Sequence, residues 1–253
     1  MKTNRIYIAA LFVIVMTTMA ISNDLPSAEK IIAKYVQVAG DEKALSTIKN
    51  RLTKSTLEFA NQGVTFDMTI RSENPNAFHL ILSSEQFGTV EKYADDKIAW
   101  EYSVMKGPRL IEGSEKDDLL REARFDKWVK WKEIYAAAET TGEEEVDGVM
   151  CYRVKLQHKD GQYQILHFAK QSGLLAKVEA RMNTDMGTIS FDTLFSDYRN
   201  VDGLMLPFKS VVNVLNQRRI ITVKEIEHNL DFSLQNTKKP DEVELLLAKS
   251  LTE

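Results

Sequence analysis

The stretch Met150-Cys151-Tyr152-Arg153-Val154-Lys155-Leu156 decides the fold class of this chain. Its even positions are all apolar, and its odd positions are charged apart from Cys151. Because side chains alternate between the two faces of a β-strand, this period of two predicts a strand with one apolar face and one face that can meet water. Similar segments recur from Arg51 to His228. The chain is therefore predicted to be mainly β.

Short turn signals separate these segments, including Asp147-Gly148, Asp160-Gly161 and Asn74-Pro75-Asn76. Short sequential connections join antiparallel neighbours, and a sheet of this size curls or closes. We therefore predict a single unclosed, strongly curved antiparallel β-barrel of about 10–11 strands. Pro207 is expected to place the start of its strand at an edge or a bulge.

Helical spacing is found at both ends of the strand series. An apolar stripe from Pro26 to Gly40 predicts a helix capped by Ser27, and a short second helix follows around Leu45. The segment from Asp241 to Lys249 predicts a short C-terminal helix.

A further helical pattern interrupts the strands from Ser114 to Ala138. Three aromatic side chains of this segment fall on one helix face: Trp128, Trp131 and Tyr135. We interpret the segment as a central helical lid over the open side of the sheet. The alternative is a helix that packs permanently on the sheet.

The inward-facing rows of the predicted strands combine medium and large apolar side chains, which are candidates for the lining of an apolar cavity. They are Phe66, Met68, Ile70, Phe78, Leu80, Leu82, Trp100, Tyr152, Val154 and Met182. A curved sheet of this length is expected to enclose more space than its own side chains fill. The alternative is that they pack a solid core.

Residues 1–20 have the layout of a secretory signal peptide. Lys2 and Arg5 precede an apolar run from Ile6 to Met16, and Thr18-Met19-Ala20 offers small residues for cleavage. The run is shorter than the roughly 20 residues of a spanning helix, so cleavage is favoured over an anchor. The predicted domain is then 21–253, and no later stretch is apolar enough to span a bilayer.

Composition excludes some functions. With 33 Lys and Arg against 37 Asp and Glu, the formal net charge is −4, which is unlike a nucleic-acid-binding protein. The single cysteine, Cys151, cannot form an internal disulfide, and its apolar neighbours predict an inert residue.

Catalytic and metal-binding patterns are also missing from the sequence. Two Ser-x-x-Lys matches, at 27–30 and 46–49, lack the Lys-Thr-Gly and Ser-Asp-Asn elements of acyl-enzyme hydrolases. The four histidines show no metal-ligand spacing, and His79 is expected to face solvent. There is no glycine-rich phosphate loop. We therefore predict a protein that is not an enzyme and needs no cofactor or metal.

Several motifs resemble those of one bacterial family. They are Ile98-Ala99-Trp100-Glu101, Gly107-Pro108-Arg109-Leu110-Ile111-Glu112-Gly113, Val146-Asp147-Gly148, Phe195-Ser196-Asp197-Tyr198-Arg199 and Leu206-Pro207-Phe208. The chain is similar to outer membrane lipoprotein-sorting proteins, which are related in fold to LolA-type and LolB-type carriers. The resemblance covers essentially all of residues 21–253.

This resemblance implies a monomeric periplasmic carrier whose apolar cavity shields the acyl chains of a lipid or lipoprotein. It implies an inner-membrane transporter as donor, an outer-membrane acceptor, and no cofactor or covalent chemistry. The basic residue that couples LolA-type carriers has no matching position here. Two alternatives stay open: an envelope sensor or scaffold of the same fold that binds another protein, and an unrecognised hydrolase.

Overall fold

In the computed structural model of the protein, the described residues are 25–184 and 187–250, and the side chains of residues 182–184 are outside that set. The predicted signal peptide, residues 1–20, lies outside the described residues. The helices are α1 (Ala28–Ala39), α2 (Glu42–Ser46), α3 (Gly113–Ala123), α4 (Trp131–Ile134) and α5 (Asp241–Ser250). Leu234–Asn236 forms a 3-10 turn.

Thirteen strands are found in this part of the chain. They are β1 (Asn50–Phe59), β2 (Val64–Glu73), β3 (Ala77–Ser84), β4 (Gly88–Ala94), β5 (Ala99–Ser103), β6 (Gly107–Leu110), β7 (Tyr135–Val146), β8 (Val149–His158), β9 (Tyr163–Ala169), β10 (Leu175–Thr184), β11 (Gly187–Val201), β12 (Leu204–Val214) and β13 (Gln217–His228).

All thirteen strands form one antiparallel sheet in the order β6-β5-β4-β3-β2-β1-β13-β12-β11-β10-β9-β8-β7. Neighbours along the chain pair with each other, and β1 pairs with β13 to join the two halves. The edge strands β6 and β7 do not pair, so the curved sheet is not closed. The predicted fold class is therefore confirmed.

The predicted strand number of about 10–11 is too low. The edge strand β6 consists of Gly107-Pro108-Arg109-Leu110, whose first two residues are typical of a turn. Proline is tolerated in an edge strand because one side of that strand has no partner. The expectation for Pro207 is confirmed: β12 pairs with β13 only over 209–214, so Pro207 lies beyond that ladder.

The helix α1 packs on the face of the sheet that we call the inner face. Its N-terminus is capped by Ser27, whose Oγ accepts a hydrogen bond from the Lys30 amide at 3.4 Å. Ile32 is fully buried against the inner-face residues Val154 and Leu166, which are also fully buried. Burial of one such side chain contributes about 1.5–3 kcal/mol, so this contact fixes α1 on the sheet.

The segment 114–138, which was predicted to be one helix, contains two helices, a turn and the start of a strand. Helix α3 ends at Ala123, a turn follows, α4 is a single short turn of helix, and Tyr135 already belongs to β7. The amide of Phe125 donates to the carbonyl of Pro75 at 3.1 Å instead of continuing the helical ladder. This contact with the β2–β3 turn overrides the helical periodicity.

The opposite, outer face of β3–β5 is covered by the C-terminal tail. Trp100 is fully buried there with Tyr93, Leu234 and Val243, so its predicted inward orientation is wrong. His79 is 4% exposed, contacts the Trp100 ring and lies 3.0 Å from Glu91 through Nε2, so it does not face solvent. Among the described residues, no helix is long and apolar enough to cross a membrane.

Candidate functional site

Two cavities lie between the inner face and its helical cover. Cavity A has a volume of about 460 Å³, and its lining includes Arg51, Ile70, Ser72, Phe78 and Leu206. Cavity B has a volume of about 410 Å³, and its lining includes Leu175, Val178, Phe195, Tyr198 and His158. Both volumes fall in the range of about 300–1,000 Å³ that is typical of small-molecule sites.

A shared wall separates the two cavities. Tyr35 of α1, Leu119 and Glu122 of α3, and Trp128 line both of them. The rings of Tyr35 and Trp128 meet edge to face, with centroids 5.6 Å apart and an interplanar angle of 84°. Trp128 also meets Phe168 at 6.5 Å and 83°, and Phe168 meets Tyr35 at 5.3 Å, so the three rings form one cluster. Tyr35 and Trp128 therefore lie in the part of the lining that cavity A and cavity B share.

Of the predicted lining residues, Ile70 and Phe78 line cavity A. Leu80 pairs with Ile70 and Leu82 with Met68, so these residues share the inner face, but Met68, Leu80 and Leu82 are outside both linings. A ligand role for these three residues stays a prediction.

The remaining predicted residues are spread over different parts of the molecule. Phe66 packs against Phe59 and Phe87, with ring centroids 5.7 and 5.9 Å away. Tyr152 and Val154 belong to the core under α1. The side chain of Met182 lies outside the described residues. Trp100 is on the outer face, as described above.

The three lid candidates have different positions. Trp128 lines both cavities. Trp131 packs on the core under α1 and has the Lys132 ammonium 5.5 Å from its ring centroid. Tyr135 is 2% exposed in β7, and its Oη accepts a hydrogen bond from Gln164 Nε2 at 2.5 Å. Only Trp128 of the three touches cavity space.

Sequence reasoning missed Arg51, a charged residue in the lining of cavity A. Strand β1 presents Arg51, Thr53 and Ser55 to the inner face, and such a polar row carries no signal of an interior position. Arg51 Nε donates to His228 Nε2 at 3.0 Å, and the guanidinium carbon lies 5.3 Å from the centre of the Phe125 ring. Burial lowers the pKa of Arg51 to about 10.

The contact with Arg51 also sets the tautomer of His228. Because Arg51 Nε is always a donor, His228 Nε2 must accept, and the ring proton is on Nδ1. Nδ1 donates to Asp202 Oδ2 at 2.8 Å. Burial lowers the pKa of His228, which keeps the imidazole neutral at pH 7.

Two ion pairs lie at the polar end of cavity B. Arg121 forms an ion pair with Asp118, and Lys127 Nζ lies 2.5 Å from Glu122 Oε2. His158 is 7% exposed at the same end, and burial lowers its pKa, so it is neutral at pH 7.

The thiol of Cys151 is fully buried on the outer face, away from both cavities. Burial raises the pKa of this thiol, and Glu144 adds to the effect, so it stays protonated. Within the described ranges, no group of three or more His, Cys, Asp or Glu side chains could hold a metal ion.

These features define a class of fold: an unclosed antiparallel barrel with apolar cavities under a helical cover. No family model matches the sequence, and no curated protein matches it. Solved structures do match. A LolA superfamily protein from Nitrosomonas europaea is 12% identical with a TM-score of 0.58, over 85% of this chain and 99% of that one.

Two more solved structures agree. A DUF1329 family protein from Desulfovibrio piger is 14% identical with a TM-score of 0.57, over 81% of this chain and 95% of that one. A domain described as an outer membrane lipoprotein-sorting protein, from Vibrio parahaemolyticus, is 12% identical with a TM-score of 0.54, over 85% and 99%. The chain has a LolA-like fold, which confirms the resemblance at the level of fold.

Proposed function

We propose that the protein is a periplasmic carrier that holds the acyl chains of a lipid or lipoprotein in cavities A and B and transfers them towards the outer membrane. The observation that carries this proposal is the pair of apolar cavities divided by the Tyr35–Trp128 ring contact. The likeness to a structure described as a lipoprotein-sorting domain supports it at the level of fold.

Reversible binding follows from the shared wall. Each methylene removed from water contributes about 0.8 kcal/mol, so a long chain in a permanently open cavity would leave slowly. A chain that occupies both cavities must first separate Tyr35 from Trp128 and Trp128 from Phe168. The free energy of those ring contacts is lost on loading and regained on release, which weakens binding and speeds transfer.

The route of transfer is part of the proposal. Residues 1–20 would direct the chain to the periplasm and be removed. An inner-membrane transporter would supply the cargo, and an outer-membrane component would accept it. The carrier would act as a monomer and use no covalent chemistry.

The test is lipid content and lipid binding of the exported protein. We expect native mass spectrometry of material prepared gently from the periplasm to show lipid adducts. After delipidation, the protein should bind a fluorescent fatty acid that unlabelled lipid displaces. A homogeneous ligand-free mass together with no binding of the fluorescent probe would refute the proposal and favour a sensor or scaffold.

A further inference from the structure

One row of polar side chains across the strands brings a cation, Arg51, into the lining of cavity A. The strand register places Arg51 directly between Ser72 of β2 and His228 of β13. Arg51 and Ser72 both line the cavity, beside Ile70, Phe78 and Leu204. The guanidinium therefore faces the same space that an apolar ligand would occupy.

Arg51 is part-buried and lacks the charged partner that a guanidinium in such a position normally has. In residues 25–184 and 187–250, no carboxylate lies within ion-pair distance of it, and its hydrogen bond through Nε goes to the neutral His228. Burial lowers its pKa to about 10, because removal from water disfavours the charged form. An unpaired buried charge is costly, so a role in binding would explain it.

Most other cations of the two linings have carboxylate partners. Arg181 of cavity B has none among the described residues, but its side chain is exposed and lies over the Tyr163 ring, 6.0 Å from the ring centroid. In cavity A, Arg124 pairs with Asp126 at 2.8 Å. In cavity B, Arg121 pairs with Asp118, and Lys127 pairs with Glu122. Among the described residues of the two linings, Arg51 is thus the part-buried cation without a carboxylate partner, and it offers its charge to an anion that enters cavity A. The two Nη groups can form the fork that binds a carboxylate or a phosphate.

We propose that cavity A holds the anionic headgroup of an amphiphilic lipid, with its oxyanion on the Nη groups of Arg51 and its acyl chain over Ile70 and Phe78. The hydroxyl of Ser72 adds a donor beside the guanidinium. Tyr35, whose pKa burial raises to about 12, stays protonated and so adds no competing charge. This inference rests on the proposed carrier function and specifies its ligand as a carboxylate or phosphate amphiphile.

The test compares three single-chain probes that differ only in their headgroups: dodecanoate, dodecyl phosphate and dodecanol. Delipidated wild-type protein should bind at least one of the two anions more tightly than dodecanol. In Arg51→Gln, that anion should bind about 10- to 150-fold more weakly, the loss expected for a charged hydrogen bond. Binding of dodecanol should not change, and Arg51→Lys should restore part of the anion affinity.

Arg219→Gln is the matched control. Arg219 also projects from the sheet over an aromatic ring, with its guanidinium carbon 5.1 Å from the Phe59 centroid, but it is outside both cavity linings. This variant should bind the anions as wild type does. The anion that binds more tightly indicates the class of the natural ligand, since dodecanoate represents fatty acids and dodecyl phosphate represents phospholipids.

The possible failures are distinct. Equal wild-type affinity for all three probes would overturn the headgroup inference and leave the carrier proposal standing. An equal loss for all three probes in Arg51→Gln would show that Arg51 only supports the fold, and a similar loss in Arg219→Gln would indicate unspecific charge attraction. No binding of any probe would refute the carrier proposal itself.

Discussion

Replacement of Trp128 by alanine should make the protein less stable and bind lipid more tightly. Trp128 contributes two edge-to-face ring contacts, one with Tyr35 and one with Phe168. Each such contact is worth about 0.5–1.5 kcal/mol, so their removal costs the empty protein roughly 1–3 kcal/mol. If a long-chain ligand must break both contacts to enter, the variant no longer spends this free energy on binding. Its affinity for the ligand should then be about 5- to 150-fold higher than that of the wild type.

Two measurements on delipidated protein check this result. Urea unfolding gives the loss of stability, and displacement of a fluorescent fatty acid gives the affinity. Trp131→Ala is the control, because Trp131 comes from the same segment and packs on the core without lining either cavity. It should lose stability without a gain in affinity. Unchanged affinity of Trp128→Ala together with reduced stability would refute the gating role and make Trp128 an ordinary core side chain.

Three further predictions follow from the cavities and the buried titratable groups. Val178→Trp should fill part of cavity B and lower the free energy of unfolding by about 1–3 kcal/mol. In the same displacement assay, the affinity for long-chain lipids should fall more than the affinity for short-chain lipids. Stability should fall as the pH drops below about 6.5, because burial lowers the pKa values of His158, His167 and His228 and the unfolded chain then binds more protons. Urea unfolding at about pH 7.5 and pH 5.5 should show this loss, up to about 1.4 kcal/mol per pH unit for each histidine, and equal stability at both values would contradict the buried neutral state. The thiol of Cys151 should react with a disulfide reagent only after urea unfolds the protein, and fast reaction of the native protein would contradict its burial.

Local sequence determined the element types wherever a short pattern had only one structural solution. The alternation at 150–156 became β8, with Val154 and Leu156 fully buried on the inner face. The cap at Ser27 began α1, and the Asp147-Gly148 turn joined β7 to β8. Because these signals depend on neighbours within a few residues, the local sequence was sufficient to predict the strand, the helix start and the turn.

Long-range contacts decided where several segments ended. The helical pattern continued beyond Ala123, yet the chain left the helix where the Phe125 amide met the Pro75 carbonyl, a contact across 50 positions of sequence. Strand β6 likewise exists because β5 lies beside it, although its Gly-Pro start is typical of a turn. The periodicity of the local sequence carries no information about these contact partners.

The sequence by itself therefore determined that this is a mainly β, antiparallel protein with apolar rows and helical covers, since period and turn chemistry are local properties. Only the tertiary structure decided which face each row meets. Trp100 of β5 and Phe78 of β3 are both large aromatic side chains on strands that flank β4, yet the C-terminal tail covers Trp100 and Phe78 lines cavity A. Arg51 is the clearest case. The residues at the start of its strand are polar and do not predict an interior position, and its burial depends on contacts with α1, β13 and the turn at Phe125. The burial of a side chain depends on chain segments that are far apart in sequence. The lining of the two cavities depends on the same long-range contacts.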